Sequence, residues 1–108
     1  MKEHTLKTLH DSVERSPNDI KLRLELAHAL QTASKHSEAE DEFIKVLALD
    51  KNNLEAKCGL AKSCYELREF STAFSMLEDI CKRSDTGTEY QTLYAQLLIR
   101  EMQEEQLT

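Results

Sequence analysis

No tryptophan, a single proline and two glycines in 108 residues leave few points at which a helix is forced to stop. With Leu, Ala, Glu and Lys dominating the remainder, that scarcity points to an all-α protein. Three cysteines, Cys58, Cys64 and Cys81, are odd in number and form no C-x-x-C pair. Neither a disulfide framework nor a zinc knuckle is suggested, and reduced thiols are expected. The longest apolar run, Val46-Leu-Ala-Leu49, falls far short of a membrane span, and the first twenty residues lack the apolar core of a signal peptide. A soluble cytoplasmic protein is expected. There is no run of Lys or Arg, and the net charge of -6 argues against nucleic acid, whose binding relies on clustered cations. His4, His10, His28 and His36 are too dispersed for a metal-binding helix, H-E-x-x-H is absent, and two distant glycines cannot form a phosphate loop. No catalytic residue, metal or cofactor is implied.

What the chain does contain is an internal repeat. A shift of 34 residues lays Ala27 on Ala61 and Ala95, Leu26 on Leu60 and Tyr94, and Leu30 on Cys64 and Leu98. Between the first two copies, Ala39 meets Ala73, Phe43 meets Leu77 and Val46 meets Ile80. Self-similarity at such a period marks stacked supersecondary units.

In chain order, Leu6, Leu9 and Val13 give an opening helix over roughly residues 3–15 one apolar stripe, and Pro17 ends it. In the repeat frame this helix is the second half of an incomplete unit, residues 3–19. Asn18 and Asp19 can cap a helix that runs to Thr32 or Ala33. Ser37 and Glu40 read as a capping box for a second helix with Ala39, Phe43, Val46, Leu47 and Leu49 on its apolar side. Residues 20–53 are then one antiparallel hairpin. Residues 54–87 repeat the plan, with Asn53 as cap, a break at Arg68-Glu69-Phe70 and Ser71 as the next cap. A turn over Ser84–Thr88, in which Gly87 can take a positive φ and Thr86 or Thr88 can cap, leads to a terminal helix of a third unit, residues 88–105.

These residues resemble the tetratricopeptide repeat (TPR) family, whose 34-residue unit is two antiparallel helices with small residues at fixed places. Numbering each unit from Ile20, Leu54 and Thr88, the eighth position is Ala27, Ala61 and Ala95, and the twentieth is Ala39 and Ala73. The two helices of a unit cross closely there, and a larger side chain would force them apart. The chain departs from the family pattern at the fourth position, with Arg23, Lys57 and Gln91, and at the fifteenth, where Ser34 and Arg68 replace the usual glycine. The resemblance implies a single domain, residues 1–108, of about six helices stacked as a right-handed array.

It also implies a protein or peptide partner, bound on the concave surface formed by the first helices of successive units. The residues it places there are Lys21, Leu24, Glu25, His28 and Gln31, then Glu55, Cys58, Gly59, Lys62 and Tyr65, then Glu89, Thr92, Gln96 and Ile99. Leu24, Ile99 and Tyr65 are the candidate anchors, and Cys58 the thiol open to modification, whereas Cys64 and Cys81 fall at core positions. Gly59 weakens a helix interior by roughly 1 kcal/mol and reads as tolerated drift. TPR domains that hold the acidic tails of heat-shock chaperones resemble a clamp of Lys, Asn and Arg side chains, and the corresponding places here read Leu24, His28, Gly59, Glu89 and Leu93. The clamp is absent. The terminal helix is expected to cover the preceding unit with Leu93, Tyr94, Ala95, Leu98 and Met102. Tyr90 and Leu97 would then be left on the opposite side for a homodimer or for further chain. An adaptor or oligomerisation segment of a larger enzyme, such as an ATPase, is the alternative reading.

Overall fold

The computed structural model describes residues 2–83 and 88–107. Of the turn expected over Ser84–Thr88, residues 84–87 lie outside them, and Thr88 is the first residue of the last helix. Six helices follow in order: α1 (Lys2–Arg15), α2 (Ile20–Thr32), α3 (His36–Leu49), α4 (Leu54–Glu66), α5 (Phe70–Arg83) and α6 (Thr88–Leu107). No strand occurs among the described residues.

Each helix packs on the next, and in addition α2 packs on α4 and α4 on α6, while among the described residues the backbones of α1, α3 and α5 do not approach one another closely. The array therefore curves, with α2, α4 and α6 on its inner side. Its extents are 50 × 28 × 22 Å, and its radius of gyration, 15.0 Å, exceeds the roughly 13 Å of a compact globule of this length. That is the shape of stacked hairpins.

Local chemistry sets the helix boundaries. Asp19 and Asn53 occupy the caps of α2 and α4, accepting hydrogen bonds from the amides of Leu22 and Ala56 at 3.2 and 2.9 Å. Both helices end in the same turn. Ser34 and Arg68 adopt φ values of 61° and 64°, and the amides that follow them, Lys35 and Glu69, donate back to the carbonyls of Leu30 and Cys64 at 2.8 and 2.9 Å. This is a Schellman closure, in which a left-handed residue turns the chain back on the last helical carbonyls. The backbone position that favours glycine is thus kept without glycine.

The turn also displaces the expected capping box. Because it delivers the chain at once into the next hairpin arm, α3 begins at His36, ahead of Ser37, and Lys35 stands at its cap with no side-chain bond. Likewise α5 begins at Phe70, ahead of Ser71.

The core follows the repeat. Ala27, Ala39, Ala61 and Ala73 are fully buried, among Leu26, Leu30, Phe43, Val46 and Leu77. Each of the large side chains stabilises the fold by about 1.5–3 kcal/mol through removal from water. At the fourth position Arg23 takes a different route from an apolar residue: its guanidinium donates to Glu42 on α3 at 2.9 Å and to the Pro17 carbonyl at 2.7 Å. Lys45 reaches the other Glu42 oxygen at 3.3 Å. A mostly buried ion pair thereby joins the two arms of the hairpin.

The terminal helix turns inward a side that shares only Leu93 and Tyr94 with the one expected. Leu97 is 1% exposed, and Tyr90, Leu93 and Tyr94 pack beside it, whereas Ala95, Leu98 and Met102 face outward. The Tyr94 ring lies 5.6 Å from that of Phe74 on α5, and burial pushes the Tyr90 hydroxyl up to about 12. The reason is that a first helix has two packing sides. Positions three, six and ten face the preceding second helix, as Gly59 does toward Phe43 on α3. The other side carries position eight, fully buried as Ala27 and Ala61. Tyr90 and Leu97 therefore do not form a free association surface.

Candidate functional site

The inner side of the array is built by α2, α4 and α6, and polar pairs bridge each helix to the next. His28 Nε2 lies 2.9 Å from Glu55 Oε2, and Lys62 Nζ lies 2.8 Å from Glu89 Oε1. Both members of the second pair stand 34 residues beyond those of the first, so one cross-unit contact recurs with the repeat. The first pair carries full charge complementarity only when the imidazole is protonated. Between these rungs, Gln31 donates to the Gly59 carbonyl and to Ser63 Oγ, both at 2.9 Å, and His28 Nδ1 lies 3.3 Å from Gln31 Oε1. Farther along, the Tyr65 hydroxyl donates to Gln96 Oε1 at 3.2 Å.

Of the residues expected on this face, Lys21, Glu25, Glu55, Glu89, Thr92, Gln96 and Ile99 are exposed, and His28, Gln31, Lys62 and Tyr65 are half-buried. Leu24 and Cys58 are not surface residues: they are 9% and 6% exposed and belong to the core. The fifth position falls at the seam between neighbouring first helices. There desolvation, with smaller effects from Cys81 and Glu89, raises the Cys58 thiol pKa. A buried, protonated thiol is a packing group, so Cys58 is not open to modification. Gly59 is likewise no drift. A Cβ there would collide with the Phe43 ring, so the glycine is what lets α3 and α4 approach.

At the α6 end of the face is a cleft of about 340 Å³, lined by Tyr65, Glu66, Arg68, Phe70, Gln96, Leu97 and Arg100. The Arg100 guanidinium sits 4.1 Å above the Phe70 ring, and Tyr65 meets Phe70 edge-on at 5.7 Å. Sequence reading assigned Phe70 to a helix break and did not single out Arg100. The aromatic residue heading α5 was the available signal, but its partners lie in other helices.

No family profile matches the chain, and no curated protein matches it. Solved structures do. The first TPR of Spaghetti (RPAP3), bound to the HSP90 peptide SRMEEVD, superposes with a TM-score of 0.84 at 14% identity over 94% of this chain and 80% of that one. The TPR2B domain of yeast Sti1, from a pHsp70 complex, gives 0.79 at 19% identity over 92% and 84%. A thermophilic TPR protein of Thermus thermophilus, TTC0263, gives 0.73 at 19% over 91% and 50%. The fold is that of a tetratricopeptide array.

Within this TPR frame, the five clamp positions hold no group poised for a carboxylate. Leu24 and Gly59 are buried, Leu93 packs against the core, His28 is engaged by Glu55 and Gln31, and Glu89 brings negative charge of its own.

Among the described residues, a group of side chains of cation-ligating type lies elsewhere in the array, between α3 and the α4–α5 turn, where Glu40, Cys64 and Glu69 bring ligand atoms within 4.8 Å of one another. The Cys64 thiol donates to Glu40 at 3.2 Å, and desolvation, then its bond to Glu40, pushes it up to about 12. Glu40 is itself raised, chiefly by its hydrogen bond with Glu69 and then by burial.

Proposed function

We propose that this chain is a non-catalytic scaffold that binds a peptide segment or a partner protein along the inner face of its array. The observation that carries the reading is the recurring cross-unit ladder on that face. Its side chains sit in fixed positions yet keep polar atoms at the surface, which is the preorganisation a binding surface requires. On this reading Lys21, His28, Gln31, Glu55, Lys62, Tyr65, Thr92, Gln96 and Ile99 form the contact surface. The cleft around Tyr65, Phe70 and Arg100 takes a side chain of the partner, with two aromatic rings and a guanidinium supplying contact types enriched at interfaces. The chaperone-tail clamp is no part of it. The fold adds support, since the RPAP3 domain was solved bound to an HSP90 peptide and the Sti1 domain in a pHsp70 complex. No helix among the described residues is long and apolar enough to cross a membrane, in keeping with a partner met in solution.

The test is selection from a random peptide library displayed on phage, followed by measured affinities. Selected peptides should bind a Tyr65→Ser, Lys62→Glu variant at least about tenfold more weakly than the wild type, a loss of roughly 1.4 kcal/mol. They should bind a variant altered at exposed Ser75 of α5 equally well. Peptides indifferent to the first variant and sensitive to the second would move the site to the outer face.

A further inference from the structure

The cleft at the α6 end of the inner face has the chemistry of an anion subsite. Arg68 lines it from the α4–α5 turn and Arg100 from α6, so two of the chain's five arginines share one cleft on a protein of net charge -6. Glu66 is the only acid among the described lining residues. The five chaperone-clamp positions hold no lysine or arginine, reading Leu24, His28, Gly59, Glu89 and Leu93. The cleft is a separate place, built from the end of α4, the start of α5 and one side of α6.

The turn does not demand an arginine. Arg68 adopts a left-handed φ of 64°, which favours glycine, and the same turn in the first hairpin is made by the short, neutral Ser34 at 61°. The Arg68 guanidinium has no ion pair or hydrogen bond among the described residues. Arg100 is placed by the Phe70 ring, 4.1 Å beneath its guanidinium, a contact that restrains the side chain without occupying its N–H donors. Gln96, one turn earlier on the same side of α6, accepts the Tyr65 hydroxyl at Oε1 at 3.2 Å. Its amide nitrogen donates to no group among the described residues. Two guanidinium groups and an amide thus set donors around a space with one carboxylate on its wall.

On the inner-face reading, on which this rests, we infer that the partner side chain received by the cleft is an acid, glutamate or aspartate, whose carboxylate is held by Arg68 and Arg100. Two guanidinium charges less the charge of Glu66 leave one positive charge, which a carboxylate matches. A phosphoryl group, with a charge of about -2, would leave negative charge uncompensated beside Glu66. The planar fork of arginine presents paired N–H groups to both oxygens of a carboxylate, which the point charge of lysine does not. The rings of Tyr65 and Phe70 offer apolar surface to the methylene stem of the acid, and the Gln96 amide supplies a further donor.

The probe is a phage-selected peptide that loses binding to the Tyr65→Ser, Lys62→Glu variant. Exchanging one of its acids for the matching amide should weaken binding to the wild-type domain at least about tenfold. The same exchange should change binding to an Arg68→Gln, Arg100→Gln variant by less than about twofold, with the helical circular dichroism of that variant at the wild-type value. Phosphoserine in place of the acid should weaken binding to the wild type. Peptides that respond to the Tyr65→Ser, Lys62→Glu variant but contain no acid whose exchange matters, or that lose equally on both proteins, overturn the carboxylate subsite and leave the inner-face reading standing. Tighter binding of the phosphoserine peptide overturns it in favour of a phosphoryl site. If no selected peptide responds to the Tyr65→Ser, Lys62→Glu variant, the subsite and the inner-face reading fall together.

Discussion

Phe43 stands with its ring against Gly59, so close that a methyl group on the glycine would lie 2.8 Å from Cε2 and nearer still to Cζ and Cε1. The ring is fully buried and meets His28 edge-on at 5.4 Å, so it has little room to withdraw. Helix propensity alone would reward Gly59→Ala by about 1 kcal/mol. The collision should reverse the sign, giving a net loss of about 1–3 kcal/mol in urea denaturation. Combining Gly59→Ala with Phe43→Leu should recover part of it. A stabilised single variant would show that the ring is free to move.

The pair Arg23–Glu42 makes a second, opposite kind of prediction. Glu42→Ala leaves the Arg23 guanidinium mostly buried, with its ion pair lost and its bond to the main-chain carbonyl of Pro17 remaining. That should cost roughly 3 kcal/mol. Replacing both members, Arg23→Leu with Glu42→Leu, should cost much less, because an apolar pair at this depth needs no charge compensation. A double-mutant cycle by thermal denaturation separates the two contributions.

Ser34 and Arg68 hold left-handed backbone conformations. Ser34→Gly removes the Cβ penalty and returns some unfolded-state entropy, so a net gain of about 0.5–1 kcal/mol is expected. Arg68→Gly should behave alike in stability, while also removing a wall of the cleft beside Phe70. Melting temperatures that fall for both would contradict the turn geometry.

Glu40 has a raised pKa, first through its hydrogen bond with Glu69 and then through burial. A carboxyl that holds its proton more tightly when folded adds stability that is fully present below its unfolded value of 4.5 and is lost as pH rises through the raised value. Glu40→Gln mimics the protonated form. The variant should therefore be more stable than wild type at neutral pH, and the difference should shrink as pH falls toward 4.5. Parallel urea titrations at several pH values would show it, and a difference independent of pH would contradict a raised Glu40 pKa.

Much of the architecture was legible because tight crossings demand small residues, and Ala27, Ala61, Ala39 and Ala73 recur at the 34-residue spacing. The facing of α6 was not. Leu97 corresponds to Ala29 and Ser63, two small residues, so the repeat offered no hint that this position is turned inward. Tyr90 and Leu97, seven apart, look alike whether they face a neighbour or solvent. Leu24 and Cys58 were placed on the inner face because the resemblance puts the fifth position there, but in this array that position is closed over at the seam between units. The cleft around Phe70 could not be read at all, since Arg100 and Phe70 are brought together only by the stacking of α6 on the second hairpin.

The contacts between successive units span about one repeat of sequence: 27 residues separate His28 from Glu55, 32 separate Gln31 from Ser63, and 31 separate Tyr65 from Gln96. Among the described residues, helix backbones approach closely only between sequence neighbours or between helices one place beyond. Assembly of this chain therefore never has to close a long loop before contacts reward it, which places its folding rate with those of helical bundles, on a timescale of about microseconds to milliseconds. Order can spread outward from either hairpin. Each interface that forms needs only the helix already beside it.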